Sequence, residues 1–396
     1  MTGEAIVALG DIRAADAGRV GPKMARLGQL TADGWQVPDG YAVTAAALEG
    51  WLPGPARAEL TRLFADPGGL ARPAAAAREL IEAQPLPSWL VDEVCAAHAA
   101  LEQRTERGGS LRVAVRSSAV GEDGHRASFA GQYATYLGVR GVVDVLVHIR
   151  KCWASGYSAH ALEYRRRFGG PAFGSTGPPR AHDLAVGVLE LVDARSAGVA
   201  FTMDPVTGDR STLVVEANWG FGESVVSGHV SPDHWTVDRA SMRVLTARTG
   251  AKRTWAVAAG PAGRVALEPL PADLAGQPCL TEDEVRAICE QAARIEAAAG
   301  GVPQDVEWAV ARDRELPDSV YILQHRPETT WGPAPDGAGP DADAGPAAAG
   351  EPAAGGEPAA PDAAAAPGAS GAADPPAEAF DPVQYALRNV FRVPGT

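Results

Sequence analysis

No two cysteines in this sequence lie close enough to form a CxxC pair. The four present, Cys95, Cys152, Cys279 and Cys289, are widely scattered. That leaves no disulfide framework and no cysteine-built zinc site, and a reducing cytoplasm is the expected compartment. No apolar run reaches the ~18 residues a transmembrane helix needs, and the N-terminus has no basic segment followed by an apolar core. Neither a membrane span, a signal peptide nor a membrane partner is therefore expected. Basic residues are in deficit as well: 35 Lys and Arg against 49 Asp and Glu leave a net charge of −14. Nucleic-acid binding over a broad basic face is excluded on that balance, although a local basic pocket can still hold a polyanion.

What remains is ordinary globular material. With 396 residues, 46% hydrophobic and 21% charged, the chain can bury a sizeable core and build about two lobes. The sharpest internal boundary is compositional. From Gly332 to Ala379 the chain is almost only Ala, Pro, Gly, Asp and Glu, and its eight acids repel one another, so a disordered linker is expected over 332–379. Without those eight charges the rest carries −6. In 380–396, Asp381 as N-cap, Pro382 at the first helical position and Val383, Leu387, Val390 and Phe391 on one face predict a short docking helix.

The body alternates strands and helices in an α+β pattern without a periodic repeat. Strands are expected at 5–12, 184–192, 213–217, 304–310 and 319–324. Helices are expected from Lys23 to Leu30 after the Gly21-Pro22 turn, over 87–104, along the run 142–167, and over 281–299. The last opens with a capping box of Thr281 and Glu284.

Four segments carry residues capable of chemistry. In VGPKMARLGQL, Lys23 adds a full charge to helix N-terminal amides that attract anions, but the same lysine suits a solvated surface. In VAVRSSAVGEDGHRASFAGQ, a strand delivers Arg116 into a loop of small residues where a polyphosphate can approach closely; alternatively Glu122 or Asp123 satisfies it. In VVEANWGFGESVVSG, a strand with Glu216 leads to paired glycines before Glu223, either a backbone pressed on a ligand or an ordinary hairpin. In QDVEWAV and YILQHRPE, Asp305 and Glu307 alternate on one strand and Gln324 and Arg326 on the next. Two carboxylates, a carboxamide and a guanidinium then share a surface. Hard oxygen donors suit Mg2+, which takes one or two protein ligands plus phosphate oxygens, and an exposed charged face fits equally.

Together these motifs, in this order over residues 5–331, resemble the N-terminal nucleotide-binding region shared by phosphoenolpyruvate synthase (pyruvate, water dikinase), pyruvate phosphate dikinase and rifamycin phosphotransferases. The resemblance implies an ATP-grasp fold, with a first lobe at 1–183 and a second at 184–331 closing over ATP. It implies that Lys23 and Arg116 hold the phosphates and that Glu307 and Gln324 lie on the Mg2+ side with Asp305 beside them. Arg326 then stabilises charge on the transferring group, and Leu189, Glu190, Leu191 and Val192 form the hinge that reads adenine. Three positions depart from the family pattern: Pro22 replaces a usual glycine, Leu189 a common glutamine and His160 a common arginine.

Family members continue into a swivelling domain whose histidine carries the phosphoryl group, and then into an acceptor domain. Neither fits in the residues after 331. The resemblance thus implies the ATP component of a split system, organised as in phenylphosphate synthase, with the histidine and the acceptor site on a separate protein partner tethered by the tail. The implied half-reaction takes ATP and a protein histidine to AMP, phosphate and phosphohistidine. Two other classes stay open: a degenerate nucleotide sensor or scaffold, and an autonomous ATP-grasp ligase that releases ADP.

Overall fold

The computed structural model describes residues 4–64, 69–106, 108–119, 133–168, 184–228, 230–259, 264–328 and 331. The expected linker 332–379, the expected helix 380–396 and most of the small-residue loop after Arg116 lie outside the described residues. Among the described residues, no helix is long and apolar enough to cross a membrane.

Strands β1 (Ile6–Ala8), β2 (Gly40–Val43), β3 (Arg112–Ala119), β4 (Thr135–Arg140) and β5 (Leu184–Glu190) form one antiparallel sheet in the order β1-β2-β5-β3-β4. A second antiparallel sheet, ordered β13-β12-β6-β7-β8-β9, comprises β6 (Ala194–Phe201), β7 (Thr212–Trp219), β8 (Asp233–Asp238), β9 (Val244–Arg248), β12 (Gln304–Ala311) and β13 (Val320–Pro327). Between β9 and β12 in sequence, β10 (Thr254–Ala259) and β11 (Arg264–Pro269) pair as a separate hairpin. The strand 184–190 was expected to open the second lobe. It is instead hydrogen-bonded between β2 and β3, so the crossover from one sheet to the other falls at residues 191–193.

Helix α1 (Ala17–Ala32) packs against both sheets. Val20, Met24, Leu27 and Leu30 enter a core cluster that also holds Leu189 from the first sheet and Trp308 and Ile322 from the second. One apolar core thus joins the two halves. Helices α2 (Ala45–Trp51), α3 (Gly54–Leu63), α4 (Ala71–Ala83), α5 (Ser88–Arg104) and α6 (Gly141–Ser155) cover the first sheet. There Trp51 and Trp153 stack with ring centroids 5.0 Å apart. The run 142–167 is two helices rather than one. It breaks at Gly156 before α7 (Ala159–Phe168), whose first turn is capped by Ser158 Oγ accepting from the Ala161 N–H.

Two short helices, α8 (Glu223–Val226) and α9 (Ala272–Ala275), precede α10 (Glu282–Ala298). The expected capping box is present: Thr281 N–H donates to Glu284 Oε2 at 2.8 Å and Glu284 N–H to Thr281 Oγ1 at 3.3 Å. The apolar stripe Val285, Ile288, Ala292 and Ile295 then seats α10 on the second sheet. The four cysteines are free thiols, and only Cys95 is not buried.

Candidate functional site

A cleft of about 470 Å3 opens between the two sheets. The geometry that builds it starts at Gly21, where α1 is interrupted by a backbone with φ of 74°. A Cβ at this position would lie 2.2 Å from Ser118 Oγ and 2.3 Å from the Ser118 carbonyl oxygen, so only glycine lets the turn press this close to β3. Pro22 then opens the second helical segment, where a missing N–H is no loss because the first-turn amides have no intrahelical partner. Met24 N–H donates to Ser118 Oγ at 3.4 Å, and Lys23 is carried to the cleft wall.

Arg116 stands in the middle of β3, opposite Gly187 on β5 and Thr135 on β4, rather than at the strand end where it was expected. From the first sheet it reaches across to the second. Its Nη1 donates to the Leu323 carbonyl at 3.4 Å and its Nη2 to Gln324 Oε1, while its Nε is buried without a partner among the described residues.

On the second sheet, Glu307 is directly opposite Gln324 and Asp305 directly opposite Arg326 in the β12–β13 ladder. The Asp305 carboxylate is 6% exposed at its side chain and accepts at Oδ2 from both Arg326 Nε (2.8 Å) and Arg326 Nη2 (2.6 Å). Its other oxygen, Oδ1, is buried and has no partner among the described residues. Burial pushes the Asp305 carboxyl above the usual carboxylate range; Arg326 opposes this, and Glu307 and Glu328 reinforce it.

Nine of the ten residues that the resemblance places around the nucleotide and metal line this one cleft: Lys23, Arg116, Leu189, Glu190, Leu191, Val192, Glu307, Gln324 and Arg326. Asp305 does not. It was expected among the nucleotide contacts but lies behind Arg326 and orients it. His160, on α7, is likewise not part of the wall.

In the hinge, Glu190 N–H donates to the Asp39 carbonyl at 2.7 Å and Leu191 N–H to the Arg112 carbonyl at 2.8 Å. Both amides are therefore already engaged, and Val192 follows outside any strand. Small residues (Ala194, Ala197, Gly198, Ala309) and the rings of Phe221 and Trp308 complete this end. Such an apolar, narrow wall suits a flat heterocycle.

Several cleft residues were missed. Thr135 faces Arg116 only because β4 pairs with β3, and no local signal in the sequence gives that pairing. Phe221 is aimed by its N–H donating to the Ala256 carbonyl at 2.8 Å, beside Gly220 at φ 77°, where a Cβ would lie 2.2 Å from the same oxygen. The paired glycines had suggested a close approach to a ligand; here the close neighbour of Gly220 is the β10–β11 hairpin. Glu223 follows at the cleft edge, at the start of α8.

Among the described residues, no group of three or more His, Cys, Asp and Glu side chains can cage a metal ion. Glu307 and Gln324 nevertheless offer two hard oxygens from facing positions in one wall. That donor set fits Mg2+, which usually leaves most positions to water and substrate phosphates.

A family model described as pyruvate phosphate dikinase, AMP/ATP-binding domain, matches residues 17–344. The chain is 35% identical over 361 aligned residues to a probable phosphoenolpyruvate synthase of Staphylothermus marinus, covering 82% of this chain and 41% of that protein. It is 38% identical over 344 residues to a rifampicin phosphotransferase of a Streptomyces species, covering 85% and 37% respectively. Against a prodigiosin synthesizing transferase PigC of Serratia marcescens the identity is 35% over 314 residues, covering 79% and 32%. The chain thus spans less than half the length of these curated relatives.

Proposed function

The chain belongs to the family of the pyruvate phosphate dikinase AMP/ATP-binding domain, and from that premise we propose that its two sheets form an ATP-grasp that closes on Mg-ATP and passes a phosphoryl group to a histidine on a separate swivelling-domain protein. One observation supports this above all. Lys23 from α1, Arg116 from the first sheet and Arg326, Glu307 and Gln324 from the second all line one cleft. Phosphoryl transfer needs its reactants positioned and the spreading negative charge neutralised, with little covalent help from the protein. Three cations meet that need, and Glu307 and Gln324 would hold a Mg2+ ion that would supply further charge neutralisation.

Each residue has a distinct task. Lys23, beside the N-terminal amides of its helical segment, and Arg116, with its forked guanidinium, hold the triphosphate. Arg116 donates to Gln324 Oε1, which joins the phosphate-holding guanidinium of one sheet to the side chain that would face the metal on the other. Arg326, fixed from behind by Asp305, stabilises charge on the group in flight. The adenine ring lies among Leu189, Phe221 and Trp308, read at the hinge through Val192 and the carbonyl of Glu190.

No described residue lining the cleft is a histidine, so the acceptor imidazole must enter from elsewhere. In balance, ATP, water and the protein histidine give AMP, phosphate and phosphohistidine, which the partner carries to a further acceptor. Incubation with Mg-ATP and an isolated histidine-bearing swivelling domain tests this. AMP should accumulate with acid-labile phosphate on the added domain. ADP formation with a carboxylate substrate would indicate a ligase instead, and ATP binding without any turnover a sensor.

A further inference from the structure

A second, smaller concavity of about 140 Å3 adjoins the hinge and is lined by Ser110, Arg112, Arg140, Leu191, Asp193 and Phe221. It shares Leu191 and Phe221 with the nucleotide cleft but none of the residues assigned to phosphate or metal there. Arg112 and Arg140 are directly opposite each other in the β3–β4 ladder. Direct cross-strand neighbours stand with Cβ atoms about 4.5–5.5 Å apart, and like charges in that relation destabilise a sheet. Arg140 is also the N-cap of the fifteen-residue α6, whose positive dipole end adds to the same potential, and no side-chain hydrogen bond caps it.

Asp193 lines the notch, yet neither guanidinium forms an ion pair or a side-chain hydrogen bond with it or with any other described group. At about 140 Å3 against about 470 Å3 for the nucleotide cleft, the notch is on the scale of a tetrahedral oxyanion rather than of a nucleotide. Two guanidinium forks on neighbouring strands match such an anion, each able to donate two parallel hydrogen bonds. With Asp193 counted the notch carries a net charge of +1, which suits a single phosphate rather than a polyphosphate chain.

The geometry points to a second anion site here, in which Arg112 and Arg140 seat a free phosphate-sized oxyanion against the hinge. Its place gives it a consequence. The Leu191 N–H bonds the Arg112 carbonyl at 2.8 Å and the Asp193 carbonyl accepts from Arg312 N–H at 2.9 Å, so this short segment ties β3 to the second sheet. An anion bridging the two arginines stiffens the connection between the halves.

Inorganic phosphate is titrated calorimetrically into the wild-type chain and into Arg112→Gln, Arg140→Gln and Arg326→Ala, at ionic strength matched with chloride. Either notch variant should bind phosphate roughly tenfold or more weakly than wild type, whereas Arg326→Ala, altered only in the nucleotide cleft, should keep the notch affinity. In chloride alone both notch variants should unfold at the wild-type temperature or above, because the like-charge pair has been relieved. Equal phosphate affinity in wild type and both notch variants, or loss of all phosphate binding in Arg326→Ala, would overturn the site. So would chloride matching every effect of phosphate.

Discussion

Asp305→Asn isolates the orientation of Arg326 from its charge. In the native pair one oxygen, Asp305 Oδ2, receives both Nε and Nη2 of Arg326 at 2.8 and 2.6 Å, with the side chains 6% and 11% exposed. Removing one partner of a buried ion pair outright costs about 3–5 kcal/mol. Asparagine keeps an acceptor oxygen of the same shape, and its amide nitrogen takes the place of Oδ1, which already lacks a partner among the described residues. Only the charge-assisted part is lost, about half of the full cost, so unfolding free energy should drop by ~2 kcal/mol. Turnover should suffer more. An arginine that stabilises the transferring phosphoryl group is worth about 10³–10⁵ in rate, and small misplacements of such a group cost on the order of 10². Mg-ATP affinity should stay within about threefold of wild type, since Lys23 and Arg116, the proposed phosphate-holding residues, are unchanged. The pH profile gives a second readout. Burial, opposed by Arg326, leaves the Asp305 carboxyl above the ordinary range. As pH rises through that value the carboxylate forms and fixes Arg326, so wild-type turnover climbs there while the Asn variant shows no such limb. Steady-state and single-turnover assays of AMP formation, with denaturant unfolding as control, decide it. A folded variant with wild-type turnover and an unchanged pH profile would refute the role given to Asp305.

Glu307→Gln should weaken Mg-ATP binding more than binding of metal-free ATP, because it removes the carboxylate of the proposed metal site; competition titrations with and without Mg2+ measure the difference, and equal losses would remove Glu307 from that site. Lys252→Met leaves Asp233 buried without its counter-ion, both side chains being fully enclosed, and should cost about 3–5 kcal/mol in chemical denaturation; a loss below about 1 kcal/mol would contradict a stabilising pair. Burial pushes the Glu296 carboxyl upward, but hydrogen bonds from Thr202, Arg239 and Arg210 outweigh it and leave the group below its usual range. The stability it supplies is therefore full above the unfolded carboxylate pKa and is lost as pH falls through the lower folded value. Glu296→Gln should destabilise by ~1–2 kcal/mol at neutral pH and progressively less in acid, and a pH-independent difference would show that the charge is irrelevant.

The sequence made the β12–β13 surface legible because two facts sufficed: side chains alternate along a strand, and two short apolar runs so close in the chain tend to pair. That brings Asp305, Glu307, Gln324 and Arg326 to one surface, although the pairing of Glu307 with Gln324 and of Asp305 with Arg326 is set by the register, and the Thr281–Glu284 capping box is equally local. What sequence alone missed depends on distant partners. Strand 184–190 joins the first sheet through β2 and β3, which start more than 140 and 70 residues earlier in the chain. Thr135 reaches the cleft only through its pairing with Arg116, and Phe221 through a hairpin that follows it. Asp305 was grouped with the ligand contacts because a strand pattern tells which face a side chain shares, not which of two neighbours stands in front.

Whether Lys23, Arg116 and Arg326 grip a triphosphate jointly with magnesium is decided by calorimetric titration of ATP into the purified chain, with and without Mg2+. Binding of one Mg-ATP per chain is expected, weakened severalfold when Mg2+ is omitted and by roughly tenfold or more in Lys23→Ala or Arg116→Ala. Absence of any binding heat with wild type, across temperatures chosen to avoid a zero enthalpy, would mean that the cleft does not hold ATP.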